Sequence, residues 1–364
     1  MQLYIFDQNR RLSIKDNQIV VRVKDENGNE IECETFPIET VDCVNIFGGL
    51  LLTVGFIRKA ISRNVPIIIY SWSGKYQGRI GNVRSVNSKI QRKQAILGAD
   101  HGFSLAISSK IIAAKISNQV RLLEAYNASG REIQKMRTQL GSATKATSID
   151  QLRGIEGVAA ALYFGALRSI IPPEYGFTGR NHHPPRDPVN SLLSLGYTLL
   201  HNNIIGAIER HGLNPYFGFM HADDENHATL ASDLIEEWRQ IIVDDTVIRT
   251  VIDKFYDADD FSDENNGAVY TTRSGASKLF GHLRKKILVA DQYIAGSDMK
   301  YGFQYGLDLQ LYKLARAING CNPDAYTPVM HNDAEVFTEK QAYSADSEPP
   351  VTRGLDICEV IEDE

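Results

Sequence analysis

The chain has 364 residues, 43% hydrophobic and 23% charged, with 28 Gly, 12 Pro and a net charge of −6. That is globular composition, long enough for a large core and two domains, and it excludes disordered, collagenous and coiled-coil classes. No stretch reaches the roughly 18 uninterrupted apolar residues of a membrane helix, the opening Met1–Asp7 reads as a strand rather than a signal peptide, and the scattered Cys33, Cys43, Cys321 and Cys358 make neither a disulfide framework nor a zinc site. A cytoplasmic protein with no membrane partner is expected.

The first residues have strand character. Leu3–Phe6 is short and apolar, and Leu12, Ile14, Ile19, Val21 and Val23 mostly alternate with polar residues. Asp16-Asn17 and Asn27-Gly28 supply turn residues, the second a strong type I′ hairpin signal. Thr40–Phe47 and Pro66–Tyr70 read as further strands, with helical spacing over Leu50–Arg63 between them. Ser71–Gly81 reads as a loop or hairpin leaving this β-rich region.

After about residue 85 the pattern turns helical. Ser88–Leu123 carries an apolar set at helical spacing. Ser148 and Gln151 fit a capping box, opening a helix that runs to about Ile170 and stops before Pro172-Pro173. Asp187-Pro188 is an N-cap followed by Pro at the first helical position, and that helix ends near Gly212. Leu230–Ile242, Arg273–Asp291 and Gln304–Ile318 also read as helices. The expected fold class is therefore α+β: a β-rich domain over 1–84, a larger all-α domain over 85–330, and an acidic, loosely held tail over 331–364.

Charge is segregated along the chain. Residues 51–140 hold 15 Lys/Arg against 3 Asp/Glu, residues 222–264 hold 3 against 14, and residues 321–364 hold 2 against 11. A basic region inside an acidic chain is the footprint of a polyanion partner; the alternative is a solvated basic face balanced by an acidic one.

Three places concentrate ligand-type side chains. Glu156 lies mid-helix among small and apolar residues, where a carboxylate needs either a partner Arg or Lys or a bound cation. His221 closes the aromatic run Asn214–His221, as a packed core histidine or as a ligand. Asp233 and Glu236, three apart, share one helix face, with Glu237 beside it or outside it. Together a Glu, a His and a carboxylate pair suit a hard divalent cation with oxygen and nitrogen ligands, and without thiolates Mg2+ or Mn2+ in phosphodiester chemistry fits better than structural zinc.

These residues sit in segments that resemble a known family. Ile46-Phe47-Gly48-Gly49, Ser73–Arg79, Gln91–Gln94, Lys115–Gln119, Arg153–Glu156 with Tyr163-Phe164, Asp187–Tyr197, Gly212–His221 and Leu230–Arg239 occur in order. They resemble the CRISPR-associated spacer-integration endonuclease, the first and catalytic Cas protein of the adaptation machinery, over about residues 3–330. The resemblance implies a metal-dependent DNA endonuclease and integrase whose Mg2+ or Mn2+ ligands are Glu156, His221 and Glu236. Asp233 matches a second acidic position, as a catalytic ligand or a supporting residue. It also implies DNA as substrate, a homodimer joined through the β-rich domain, and the small second Cas protein as partner. Basic residues including Arg79, Arg84, Arg92, Lys93, Lys115 and Arg121 are expected to track backbone phosphates without reading bases. Two departures stand out: the loop Ala222–Ala228 is acidic where the family has a basic one, and the acidic tail lies outside the shared region. The competing reading is a non-catalytic nucleic-acid-binding scaffold in which the same acids serve as structural ion pairs.

Overall fold

The computed structural model describes residues 2–6, 10–24, 28–71, 76–81, 87–181, 184–222, 224–225, 227–264, 267–289 and 299–330. Arg84 and the tail expected over 331–364 lie outside the described residues. The chain separates into two compact units that divide near residue 84.

The first unit contains two four-stranded sheets. One runs β4 (Glu30–Pro37), β3 (Gln18–Lys24), β2 (Arg10–Lys15), β6 (Leu51–Leu52); the other runs β1 (Gln2–Phe6), β5 (Cys43–Phe47), β7 (Ile67–Tyr70), β8 (Tyr76–Ile80). β5 is buried at every residue, the polar Asn45 included, and pairs parallel with β1 and β7, which is why it is apolar on both faces apart from Asn45 rather than alternating. Helix α1 (Val54–Ser62) links β6 to β7 and is capped by the Thr53 hydroxyl, which accepts from the Phe56 amide. Leu3, Ile5, Leu12, Ile19, Phe36, Ile38 and Phe56 form the centre of the core.

The hairpin signals fall differently from expectation. Lys15 pairs with Gln18, so Asp16 and Asn17, at φ +48° and +62°, make the two-residue turn that needs left-handed backbone. Between β3 and β4 the last pair is Lys24 with Glu30. Gly28, at φ +80°, therefore lies in a connection longer than two residues, and Asn27 falls outside the described residues.

The second unit is mostly helical. The expected run Ser88–Leu123 divides into α2 (Ser88–Gly98) and α3 (His101–Ala125), because the Asp100 carboxylate accepts from the Phe103 amide and starts a new helix. Helix α4 (Gly130–Ala143) follows, an element the sequence reading did not delimit. Ser148 caps α5 (Ile149–Leu167) through the Gln151 amide, but the Gln151 side chain reaches back to Thr147 rather than closing the box on Ser148. Asp187 caps α6 (Pro188–Arg210), which is buried along most of its length.

The segment expected as one helix over Leu230–Ile242 is broken in two. Helix α7 (Thr229–Ile235) ends in a turn, a π-helical segment covers Arg239–Asp244, and α8 (Asp245–Ile252) continues. Gly196 on α6 makes room for this segment: a Cβ there would stand 2.5 Å from Val243. A short ribbon of β9 (Phe261–Asp263) and β10 (Val269–Thr271) precedes α9 (Arg273–Leu288) and α10 (Phe303–Gly320). The acidic stretch is divided: Asp233, Glu236, Glu237, Asp244, Asp245 and Asp260 are buried, while Asp224, Glu225, Asp253, Asp257, Asp259, Asp263 and Glu264 are exposed. Among the described residues, no helix is long and apolar enough to cross a membrane.

Candidate active site

The aromatic segment that ends in His221 is fixed before any chemistry begins. Gly212, at φ +76°, turns the chain out of α6. The buried Gln94 side chain then donates to the Asn214 and Phe217 carbonyls at 2.8 and 2.7 Å and accepts from the Asn214 amide at 2.9 Å. Thr229 donates to the Tyr216 carbonyl and accepts from the Gly218 amide. Gly218 is demanded by closeness: a Cβ would stand 2.8 Å from Asp233 Oδ2 and from the Thr229 backbone.

Asp233, wholly buried on α7, organises the end of this segment. Its Oδ2 accepts from the Phe219 and Met220 amides at 2.6 and 3.1 Å. Its Oδ1 accepts from the His221 amide at 3.1 Å and faces His221 Nδ1 at 2.7 Å. Four donors saturate the carboxylate, so Asp233 stands behind His221 rather than beside it as a ligand. With Nδ1–H donated to Asp233, the lone pair of the neutral ring is on Nε2. Burial would lower the His221 pKa, but Asp233, with a further contribution from Glu236, outweighs it and raises it.

Glu156 and Glu236 meet on one cation. Lys115 Nζ, from α3, lies 2.5 Å from Glu156 Oε1 on α5 and 2.6 Å from Glu236 Oε2 just past α7. Arg239 Nη2 approaches Glu236 Oε1 at 3.4 Å while its guanidinium stacks 4.6 Å over the Tyr197 ring. Burial would push the Glu236 carboxyl up; Arg239, Lys115 and His221 overcome that and hold it at about 2. Burial would likewise lower the Lys115 ammonium, and Glu236 and Glu156 raise it instead.

One expectation is corrected here, and one alternative is met. Lys115 is buried between two carboxylates, so it is not a surface residue tracking phosphates. Glu156 does have the lysine partner that the ion-pair alternative required. The flanking Gly154 and Gly157 are exposed, and a Cβ on either would meet open space. Of the other basic residues, Arg92 is exposed, Arg79 and Arg121 are half-buried, and the half-buried Lys93 donates to the Asn319 carbonyl.

Further buried networks brace the turn after α7, and nothing in the sequence pattern marked them. Glu237, next to Glu236, accepts from Tyr326 Oη at 2.5 Å, Gln310 Nε2 at 2.7 Å and the Val329 amide at 2.6 Å. Burial pushes its carboxyl up, to about 8, against these three donors. Asp244, at the end of the π segment, accepts from Tyr197 and Tyr163 at 2.5 and 2.7 Å. Ser232 Oγ lies 3.2 Å from His201 Nε2 and 3.0 Å from His227 Nε2, with the His227 ring edge-on to His221. The only advance signal was the acidity of the segment, which does not say which acids turn inward.

Among the described residues, no three His, Cys, Asp or Glu side chains form a ready-made metal cluster. The donor set nevertheless fits a divalent cation. Two carboxylates already converge on a single positive charge, and the enclosed Glu236 Oε2 accepts no directed hydrogen bond despite its ion contact with Lys115. An imidazole with its second nitrogen held by a carboxylate completes a set of oxygen and nitrogen donors without sulfur.

Comparison with known proteins gives a consistent result. The sequence profile of the family described as CRISPR associated protein Cas1 matches residues 3–285. The chain is 40% identical over 328 residues to a CRISPR-associated endonuclease Cas1 of Mycobacterium tuberculosis, covering 89% of this chain and 95% of that protein. Its fold is similar to a casposase bound to integration product, with TM-score 0.74, 22% identity, and coverage of 88% of this chain and 91% of the other. It is also similar to a chain of a Cas6-RT-Cas1–Cas2 complex, with TM-score 0.74, 21% identity, and coverage of 91% of this chain and 36% of that larger one.

Proposed function

This chain belongs to the CRISPR associated protein Cas1 family, and from that membership we propose that it is a Mg2+- or Mn2+-dependent DNA endonuclease and integrase that inserts spacers into a CRISPR array. The observation that carries the proposal is the convergence of Glu156 and Glu236 on one cation position, together with a His221 whose Nδ1 is occupied by Asp233. Glu156, Glu236 and Nε2 of His221 would hold the metal, which supplies Lewis-acid stabilisation of charge on the non-bridging phosphate oxygens.

The remaining work belongs to the chain's own groups. Asp233 keeps the His221 proton on Nδ1 and fixes the ring. Arg239 holds Glu236 from its far side. The reaction is a displacement at phosphorus: a DNA 3′-hydroxyl forms the new P–O bond as the old one breaks, and in cleavage water takes the hydroxyl's place. Exposed basic residues such as Arg92 would neutralise backbone phosphates without reading bases.

DNA and the second Cas protein are the partners this reading implies, consistent with relatives described as bound to integration product or in a Cas1–Cas2 complex. A homodimer through the β-rich unit is supported by its exposed Ile31, Leu51 and Val54 side chains. The scaffold reading has one observation in its favour, the Lys115 bridge, which neutralises both acids without a metal.

Strand transfer of a labelled duplex into a repeat-bearing plasmid separates the two. With Mn2+ present, Glu156→Ala, His221→Ala and Glu236→Ala should each reduce transfer by about 100-fold or more, with DNA binding by anisotropy unchanged. Two variants retaining full transfer would overturn the proposal in favour of the scaffold.

A further inference from the structure

We infer that Lys115 is a built-in counterion that occupies the cation position of the metal-free site, and that a divalent metal binds by exchange with it. This rests on the reading that Glu156, Glu236 and His221 hold the metal. Lys115 Nζ touches one oxygen of each carboxylate, at 2.5 and 2.6 Å, and the side chain is almost wholly buried.

Charge balance makes coexistence unfavourable. Glu156, Glu236 and Asp233 contribute three negative charges and Lys115 and Arg239 two positive ones, so beside a neutral His221 the site carries a net charge of −1 as it stands and −2 once Lys115 withdraws. A divalent ion added beside both cations would meet only the smaller charge, and would find Lys115 Nζ on the carboxylate oxygens it needs. Once the ammonium leaves the carboxylates, the acids regain the charge that a metal requires. The exchange is therefore one cation for another at the same oxygens.

The helix also supplies a place for the displaced ammonium. Gln119 lies one turn along α3 from Lys115, on the same face. It is 1% exposed, and its Oε1 is enclosed without a hydrogen-bond partner. An enclosed acceptor with no donor is costly unless another state satisfies it. Lys115 swung toward Gln119 would satisfy it while staying out of solvent.

Two consequences follow for the metal-free protein. The ammonium prevents self-repulsion of the two acids, so the fold does not depend on metal. Metal affinity is weaker than the bare donor set would give, because every binding event breaks two short ion contacts. Bound DNA phosphate, by adding further negative charge beside the metal, strengthens loading.

The test is Mn2+ binding to the full-length protein, read from the free-Mn2+ electron paramagnetic resonance signal, together with melting temperature with and without Mn2+. Lys115→Gln and Lys115→Met should bind Mn2+ at least about ten-fold more tightly than wild type, a difference of about 1.4 kcal/mol. Both should melt lower without metal and recover with it; a variant that folds only with Mn2+ supports the exchange equally. Gln119→Leu leaves every ion pair in place and should weaken Mn2+ binding without lowering the metal-free melting temperature. Unchanged or weaker binding in the Lys115 variants overturns the inference, as does an unaffected Gln119→Leu. Glu236→Ala separates the two levels: if it leaves Mn2+ binding intact, the metal site itself is wrongly placed, and the exchange falls with it.

Discussion

Asp233→Asn probes the scaffold behind His221 with almost no change of shape. The native carboxylate accepts two bonds at each oxygen: Phe219 and Met220 amides at Oδ2, the His221 amide and Nδ1 at Oδ1. An asparagine has one oxygen, so whichever way its amide is turned, two donors face an NH2 group. Each lost bond to a buried charged acceptor is worth about 1.5–3 kcal/mol, so the two together give a destabilisation of about 3–6 kcal/mol. Gly218 leaves no slack to absorb the mismatch, since Asp233 Oδ2 is within 2.8 Å of where its Cβ would be. Turned one way, the amide also meets Nδ1–H and drives the ring proton to Nε2, removing the lone pair a metal needs. Strand transfer should then fall by about 10–100-fold, alongside a shifted guanidinium melt followed by tryptophan fluorescence, for which the buried Trp238 is a reporter. Stability within about 0.5 kcal/mol of wild type with full transfer would refute the account of Asp233.

Two further outcomes test the surroundings. Tyr326→Phe removes the hydroxyl donor to Glu237 at 2.5 Å and should lower stability by about 1.5–3 kcal/mol in the same melt; wild-type stability would mean that the segment after α10 does not brace the catalytic turn. Burial, with Arg239 and His227, pushes the His201 pKa down to about 4. The unfolded imidazole charges near 6.5, so its contribution is intact above that pH and is lost as pH falls toward 4, about 3 kcal/mol in all. His201→Gln should flatten the melting-temperature profile over that window, and an unchanged acid limb would show that other groups control it.

Much of the architecture is written in local signals. Thr53, Asp187 and Ser148 cap helices where their side chains can reach an amide three residues on, and Cys43–Phe47 reads as a buried parallel strand. The acids Glu156 and Glu236 are legible as a pair because they stand among residues that bury their neighbours. What holds them together is not. Lys115 sits in a basic run and looks like surface charge, and only the packing of α3 against α5 and the end of α7 turns it inward. The glycines around Glu156 suggest helix packing, yet they face outward. The break after Ile235 follows from long-range bonds: Glu237 is held by Gln310, Tyr326 and Val329, and Arg239 by the Tyr197 face, so the catalytic turn answers to residues far along the chain. No periodicity within 230–242 carries that information.

The most direct measurement of the central claim is the anomalous difference map of crystals grown with Mn2+. The account predicts one strong peak bound by the carboxylates of Glu156 and Glu236 and by Nε2 of His221, with Lys115 Nζ withdrawn from both acids. A peak elsewhere in the chain, or an intact Lys115 bridge with no metal between the acids in crystals of protein that still transfers strands with Mn2+, would contradict it.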